Sequence, residues 1–335
     1  MNGARLSQRY YAEVVRPILQ DRWPRLPHAA ARLGGGSDVL GLDDETSRDH
    51  DWGLRLHLLV PGDVVSQVDG HLARALPSRF AGHPSRFGIT DDPTERHRVT
   101  VCDIATFSTD TLGLDATHEL SVGDWLSLTG QGVLEVTAGP VFVDTTGELT
   151  ALRRSLEWYP DDLWRHVVSV DWARLEQELP FVGRTGARGD DLGSRLLTAR
   201  LAGVALHLAF LLERTWPPYA KWLGTAHADL PGTDPAALLR AVAAPSWQER
   251  EALLAQWLRR LADRQQEVGL PDVGDPVAPF HERPLLGIRP GVVELITDSI
   301  TSPEVRSLAR GVGTPEQWSD NVDVLLSPSR RARLR

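Results

Sequence analysis

The chain has 335 residues, of which 41% are hydrophobic and 24% charged, a length that suits two domains and a composition ordinary for a globular protein. Its formal net charge of -9 argues against an extended nucleic-acid partner, whose phosphates need Lys and Arg, and suits a cationic small molecule better. One cysteine, Cys102, excludes an internal disulfide and a cysteine-built zinc site. No stretch approaches the ~18 uninterrupted apolar residues of a membrane helix, and Met1–Gln8 has no apolar h-region, so a cytoplasmic location without membrane contact is expected.

Apolar residues at helical spacing (Tyr10, Val14, Val15, Ile18, Leu19) predict a first helix over Leu6–Trp23, closed by Pro24 and Pro27. A short apolar stretch, His28–Leu33, runs into Gly34-Gly35-Gly36-Ser37. From Asp49 to Val60, the set Asp51, Gly53, Arg55 and His57 alternates with Trp52, Leu54, Leu56 and Leu58, a strand pattern. Asp63–Leu76 reads as a helix, Pro77–Thr94 as a loop and Arg98–Ile104 as a second strand. Val133–Val143 is strand-like, interrupted at Gly139-Pro140.

From Leu149 onward helical periodicity dominates, over Leu152–Trp158, Leu163–Glu178, Asp191–Arg214, Pro235–Ala243 and Trp247–Val268, with Gly183-Arg184-Thr185-Gly186 as one junction. The expected fold class is α+β, an N-terminal mixed sheet with flanking helices followed by an all-α bundle. The domains are expected at 1–148 and 149–326, with 327–335 a disordered basic tail.

The chemistry centres on Gly36-Ser37 and on Asp49-His50-Asp51. Residues two apart on a strand share a face, so Asp49 and Asp51 would project together, and their repulsion calls for a cation. Paired carboxylates suit Mg²⁺, which also binds substrate phosphates. A Gly-Ser turn offers backbone N–H groups and a hydroxyl to a phosphate. The alternative is a pair of solvated edge acids beside an ordinary turn.

Gly36-Ser37-Asp38-Val39-Leu40-Gly41, followed by Ser47-Arg48-Asp49-His50-Asp51-Trp52-Gly53, resembles the nucleotidyltransferase superfamily, which includes DNA polymerase β. Further stretches resemble the helical domain of a bacterial branch of it: Val141–Asp144, Tyr159–Trp164, Gly189–Ser194 and Pro218–Gly224. The layout is also similar to aminoglycoside nucleotidyltransferases. The resemblance implies that Asp49 and Asp51 hold Mg²⁺, that Gly36 and Ser37 contact the triphosphate of ATP or another NTP, and that Asp190 or Asp191 and Lys221 reach in from the helical domain. Lys221 is the only lysine in the chain; a solvated helix-end charge is its plain alternative, as helix capping is for Asp190 and Asp191.

The implied reaction is transfer of a nucleoside monophosphate, AMP from ATP first, to a hydroxyl of a small-molecule acceptor with release of pyrophosphate. The departure from the pattern is a third carboxylate, since the position where relatives carry it is Thr100. Asp103, Asp144 and Asp191 are the candidates to replace it as general base. The rivals are an adenylyltransferase acting on protein and a nucleotide-binding pseudoenzyme that senses or scaffolds. His50 is expected to face away from the two acids, His57 to lie too far along the strand to help, and His118, His207 and His281 to lack ligand-like partners.

Overall fold

The computed structural model describes residues 2–48, 51–90, 92–231 and 234–332. It divides into two compact units, one of Met1–Leu120, Gly132–Glu157 and Leu326–Arg335, the other of Ser121–Gln131 and Trp158–Leu325. A single cut near 148 therefore does not describe the chain. Periodicity reveals that a segment is helical but not which core its apolar side meets.

The first unit begins with α1 (Gly3–Tyr10), a π-helical turn at Tyr11–Val15 and α2 (Arg16–Arg22). Asn2 caps α1 by accepting the Arg5 N–H at 3.0 Å. There follow β1 (Ala29–Ala31), β2 (Arg55–Leu59), α3 (Val65–Ala75), β3 (Arg79–Phe80), β4 (His83–Pro84), β5 (Arg86–Ile89), β6 (Asp92–Cys102) and α4 (Ile104–Leu112). After α5 (Val122–Trp125), which lies in the second unit, come α6 (Gly130–Thr137), β7 (Val141–Asp144) and α7 (Glu148–Ser155).

The five-stranded sheet has the order β5-β6-β2-β1-β7. β2 and β6 are parallel, and every other neighbouring pair is antiparallel. This is a mixed sheet with flanking helices, the α+β class that the alternating patterns predict. Strand alternation sorts the two faces. Ala30, Leu56, Leu58 and Val99 are buried in one cluster with Leu6, Tyr10, Val15 and Leu19 of the first helices and Val68 and Leu72 of α3. The opposite face carries Arg55, His57, Arg98 and Thr100, with His57 level with Thr100 and with Ala31.

Two expectations fail here for identifiable reasons. The Gly- and Pro-rich stretch 77–94 is not a loop but two hairpins, β3–β4 and β5–β6. The buried Arg98 guanidinium fastens the second by donating to the carbonyls of Phe87, Asp92 and Thr94 and to the Asp92 carboxylate. Val133–Val143 is a helix followed by a strand. Val133 and Val136, both fully buried, stand three apart on α6, and their β-branched side chains imitated a strand signal.

The second unit is built on α8 (Asp161–Gly186) and α9 (Asp191–Leu212), with α10 (Ala220–His227), α11 (Pro235–Ala243) and α12 (Trp247–Glu267). The supposed junction Gly183–Gly186 is the last turn of α8, which also contains Pro180. Trp164 and Trp172 are buried core residues whose indole N–H groups donate to the Leu211 carbonyl and to Gln265. By length and apolar composition alone α9 could cross a membrane, but 61% of its most apolar window is buried inside the protein. A short hairpin, β8 (Val277–Pro279) with β9 (Leu286–Ile288), follows. The small helices α13 (Val292–Asp298), α14 (Pro303–Arg306), α15 (Pro315–Trp318) and α16 (Val322–Leu325) complete the unit.

The tail is not wholly irregular. Pro328–Ala332 forms α17, which packs against α4 in the first unit, with Pro328 beside Gly113.

Gly139 shows how tightly the first unit is assembled, because a Cβ there would collide with the backbone oxygen of Arg32. Gly139→Ala should therefore cost at least about 2 kcal/mol in denaturant unfolding. Gly224→Ala, in a helix with open space around it, should cost nothing or stabilise by up to about 1 kcal/mol. Equal stability of the two variants would refute this packing.

Candidate functional site

At the end of β1 the chain must turn, and the turn is built around a buried ion pair. Arg32 is fully buried and Asp38 nearly so. The guanidinium grips the carboxylate with two parallel bonds, Nε to Oδ2 and Nη2 to Oδ1, each 2.7 Å. The same guanidinium donates to the Leu33 and Gly35 carbonyls. Gly36, at φ 143°, lies where a Cβ would strike both Asp38 and the guanidinium. The Gly34 N–H is taken by the Glu135 carbonyl. Among the described residues, the N–H groups of Gly35, Gly36 and Ser37 and the Ser37 hydroxyl have no hydrogen-bond partner, and Gly35 is exposed. Successive free amides of this kind make a concavity suited to an anion.

His57 lies beside this loop. A Cβ on Gly34 would come within 3.2 Å of its ring, and its other neighbour is Phe107, edge-on at 5.2 Å between ring centroids. Burial above all, then the charges of Arg32 and Arg55, lowers its pKa to about 3. Its Nδ1 is buried without a hydrogen-bond partner. Arg55, on the same face, donates to the Asp51 carbonyl, and burial lowers its pKa to about 10. The face next to the glycine loop is thus positively biased, with a neutral imidazole in its middle.

Asp49 and His50 lie outside the described residues. Asp51 is not on a strand, because β2 begins only at Arg55 and Asp51 has φ 54°. The strand-face argument for pairing the two acids therefore fails, and Asp51 Oδ1 accepts the Thr90 N–H at 2.7 Å. Asp103 is not on β6 but caps α4, holding the Thr106 N–H and hydroxyl. The Thr106 amide is the main reason its carboxyl lies below the usual range.

Asp144 ends β7 and accepts from Gly147 N–H and from the N–H and hydroxyl of Thr150. Burial alone would raise its carboxyl pKa, and those bonds more than reverse this. Asp191 is committed to ion pairs with the buried Arg250, at 2.6 Å, and with Arg195, at 2.7 Å. Its neighbour Asp190 caps α9 through the Gly193 N–H. Lys221 is exposed on the first turn of α10, its ammonium 5.0 Å from the centre of the Trp222 ring. Thr100 is exposed on the His57 face, so no acid occupies that position. Among the described residues no three His, Cys, Asp or Glu side chains are grouped to hold a metal ion.

The second unit holds a feature that sequence spacing missed. His207 Nδ1 is 2.6 Å from Asp171 Oδ2, and the other oxygen of Asp171 accepts from Gln317 Nε2 at 2.8 Å. The partners are 36 residues apart, on α9 and α8, so no local motif could announce them. They line an open cavity of about 350 Å³ with Arg174, Gly203, Tyr219 and Glu316. Burial is the strongest single influence on the imidazole and opposes its charge, yet the charge and hydrogen bond of Asp171, with Glu316, raise its pKa overall.

A family model described as a domain of unknown function, DUF4037, matches residues 125–223. All cavity-lining residues except Glu316, Gln317, Ser319, Asp320 and Leu325 fall within that stretch. No curated protein matches the chain. Among solved structures, a nucleotidyltransferase-like protein from Exiguobacterium sibiricum 255-15 is similar to 79% of this chain over 76% of its own, at 13% identity and a TM-score of 0.35.

Two outcomes test the geometry of the first unit. Replacing Arg32 by Met while leaving Asp38 strands a buried carboxylate, and should cost about 3–5 kcal/mol in denaturant unfolding. Replacing both Arg32 and Asp38 by apolar residues should recover much of that loss, and a double variant no more stable than the single one would contradict the pairing. For His57, the unfolded chain binds a proton near its ordinary pKa of about 6.5, whereas the folded one resists it down to about 3. The stability is full above the unfolded value and declines as pH falls toward the folded one, by at most about 1.4 kcal/mol per pH unit. His57→Gln should flatten that slope between pH 6 and 4 in urea-unfolding midpoints.

Proposed function

We propose that the chain is a nucleotidyltransferase that moves a nucleoside monophosphate, AMP from ATP first, to a hydroxyl of a small-molecule acceptor. The observation that carries this is the braced loop Gly34–Ser37. The amides of Gly35–Ser37, without a partner among the described residues, lie at the end of β1, beside a sheet face biased positive by Arg55. A triphosphate meets there the donors that phosphate oxygens need, and the Arg32–Asp38 pair fixes them before the ligand arrives. The resemblance of Gly36-Ser37 and Asp49-His50-Asp51 to nucleotidyltransferases points the same way.

Mg²⁺ would be held by Asp49 and Asp51 together with phosphate oxygens, and would neutralise charge on the departing pyrophosphate. The described residues do not complete a metal site without Asp49. The acceptor's hydroxyl oxygen forms the new bond to the α-phosphorus as the bond to the α,β-bridging oxygen breaks, pyrophosphate leaving and the hydroxyl proton passing to solvent water. A cationic acceptor fits the acidic composition.

A second reading, a nucleotide-binding pseudoenzyme, is favoured by one specific set of observations. Thr100 stands where an acid is expected, and Asp103 and Asp144 are held by helix-end donors.

The deciding measurement is pyrophosphate release from each NTP with Mg²⁺ across a panel of hydroxylated acceptors, alongside calorimetric nucleotide binding. The transferase reading expects release that Asp49→Ala and Asp51→Ala each reduce by at least about 100-fold, on the scale of losing a metal clamp. Ser37→Ala should weaken nucleotide binding several-fold. Tight, Ser37-dependent ATP binding with no release under any condition would establish the pseudoenzyme, and no nucleotide binding would remove both.

A further inference from the structure

The cavity in the helical unit has no part in the reading above, and its chemistry is distinct. Its walls are largely apolar, from Val204, Pro217, Pro218 and Leu223 among others. One imidazole is aimed at it in a fixed state. His207 is almost fully buried, its Nδ1 engaged by Asp171. An acidic partner on Nδ1 fixes the tautomer with hydrogen on that nitrogen, which leaves Nε2 as a lone-pair acceptor in the neutral ring. Nε2 makes no hydrogen bond among the described residues and is not one of the buried orphan atoms, so it keeps access to the space the ring lines.

Asp171 is itself held at both oxygens, by His207 and Gln317, and is 2% exposed. Such a buried, oriented carboxylate–imidazole pair is the arrangement that accepts a proton from a hydroxyl. The remaining charged groups decide what kind of molecule fits. Arg174 donates to the Gln317 carbonyl and lies 3.5 Å from Glu178, and Arg200 is paired with Glu178 at 2.9 Å. Both cations therefore already have partners, whereas Glu316 and Asp320 also line the space and repel an anion.

We propose that this cavity is a binding site for a non-anionic small molecule bearing a hydroxyl, with His207 Nε2 accepting the hydrogen of that hydroxyl and Asp171 positioning the ring. The site stands on the second unit alone and does not depend on nucleotide transfer at the first.

The full-length protein is titrated by calorimetry and ligand-observed NMR with 2-naphthylmethanol, its methyl ether and 2-naphthoate, and with the matching cyclohexyl series. The groups facing His207 are Asp171 and Arg174 from α8, Arg200 from its own helix, Tyr219 before α10, and Glu316 and Asp320 from α15 and beyond. Carboxylates, phenols and guanidinia ordinarily change charge outside pH 6–9, so a midpoint inside that window reports the imidazole.

The alcohol should bind saturably and more tightly than ether or carboxylate. Its affinity should rise with pH through the His207 midpoint, falling roughly tenfold per unit below it. Asp171→Asn should move that midpoint down, as read from the His207 ring signal. Gly203→Leu, at a cavity-lining position with open space around it, should block the site while the fold stays intact by circular dichroism. Failure of both alcohols to bind overturns the proposal. So does tighter binding of the carboxylate, affinity that grows on acidification, or binding that Gly203→Leu leaves unchanged.

Discussion

The first unit depends on one buried charge. A guanidinium taken out of water must be matched by a carboxylate and by further acceptors, or the chain would not fold around it. Arg32 meets this demand with Asp38 and with the carbonyls of Leu33 and Gly35. The consequence is a loop whose Leu33 and Gly35 carbonyls turn inward toward the cation while the amides of Gly35–Ser37 have no partner among the described residues. Burial, aided by the same charge and by Arg55, keeps His57 neutral. The shape of the loop follows from that pairing, while Arg55 supplies the positive bias of the sheet face.

The second unit solves a similar problem differently. Its two long helices bury an imidazole against a carboxylate, and the pairing raises the ring's affinity for a proton despite burial. In the first unit a buried histidine has cations for neighbours and is held neutral. In the second, burial and Arg174 oppose the ring's charge, and Asp171 and Glu316 outweigh them. Residue type is the same in both, and environment sets the chemistry.

Much of the fold was legible because it rests on short-range periodicity. The first helix, β2, α3 and the helices α8, α9, α11 and α12 follow apolar spacing, and the glycine loop was marked by its composition. The failures share a cause. The hairpins of residues 77–94 are held by Arg98 reaching back to the carbonyls of Phe87, Asp92 and Thr94, contacts that composition cannot reveal. Asp103 and Asp144 were drawn toward a site by their positions near strand ends, yet the next helix in each case claims their oxygens. His207 was set aside because its partner is 36 residues away.

By itself, then, the sequence determined the class of each unit, the position of the glycine turn before β2, and the absence of an acid at Thr100, because all three depend on residue identity and local spacing. Tertiary structure alone decided which carboxylates are taken by helix caps and ion pairs, which carbonyls of the glycine loop turn to Arg32, and that His207 meets Asp171 across two helices. The physical reason is that a charged or hydrogen-bonding group is defined by the partners that surround it. Those partners are chosen by packing between segments far apart in the chain.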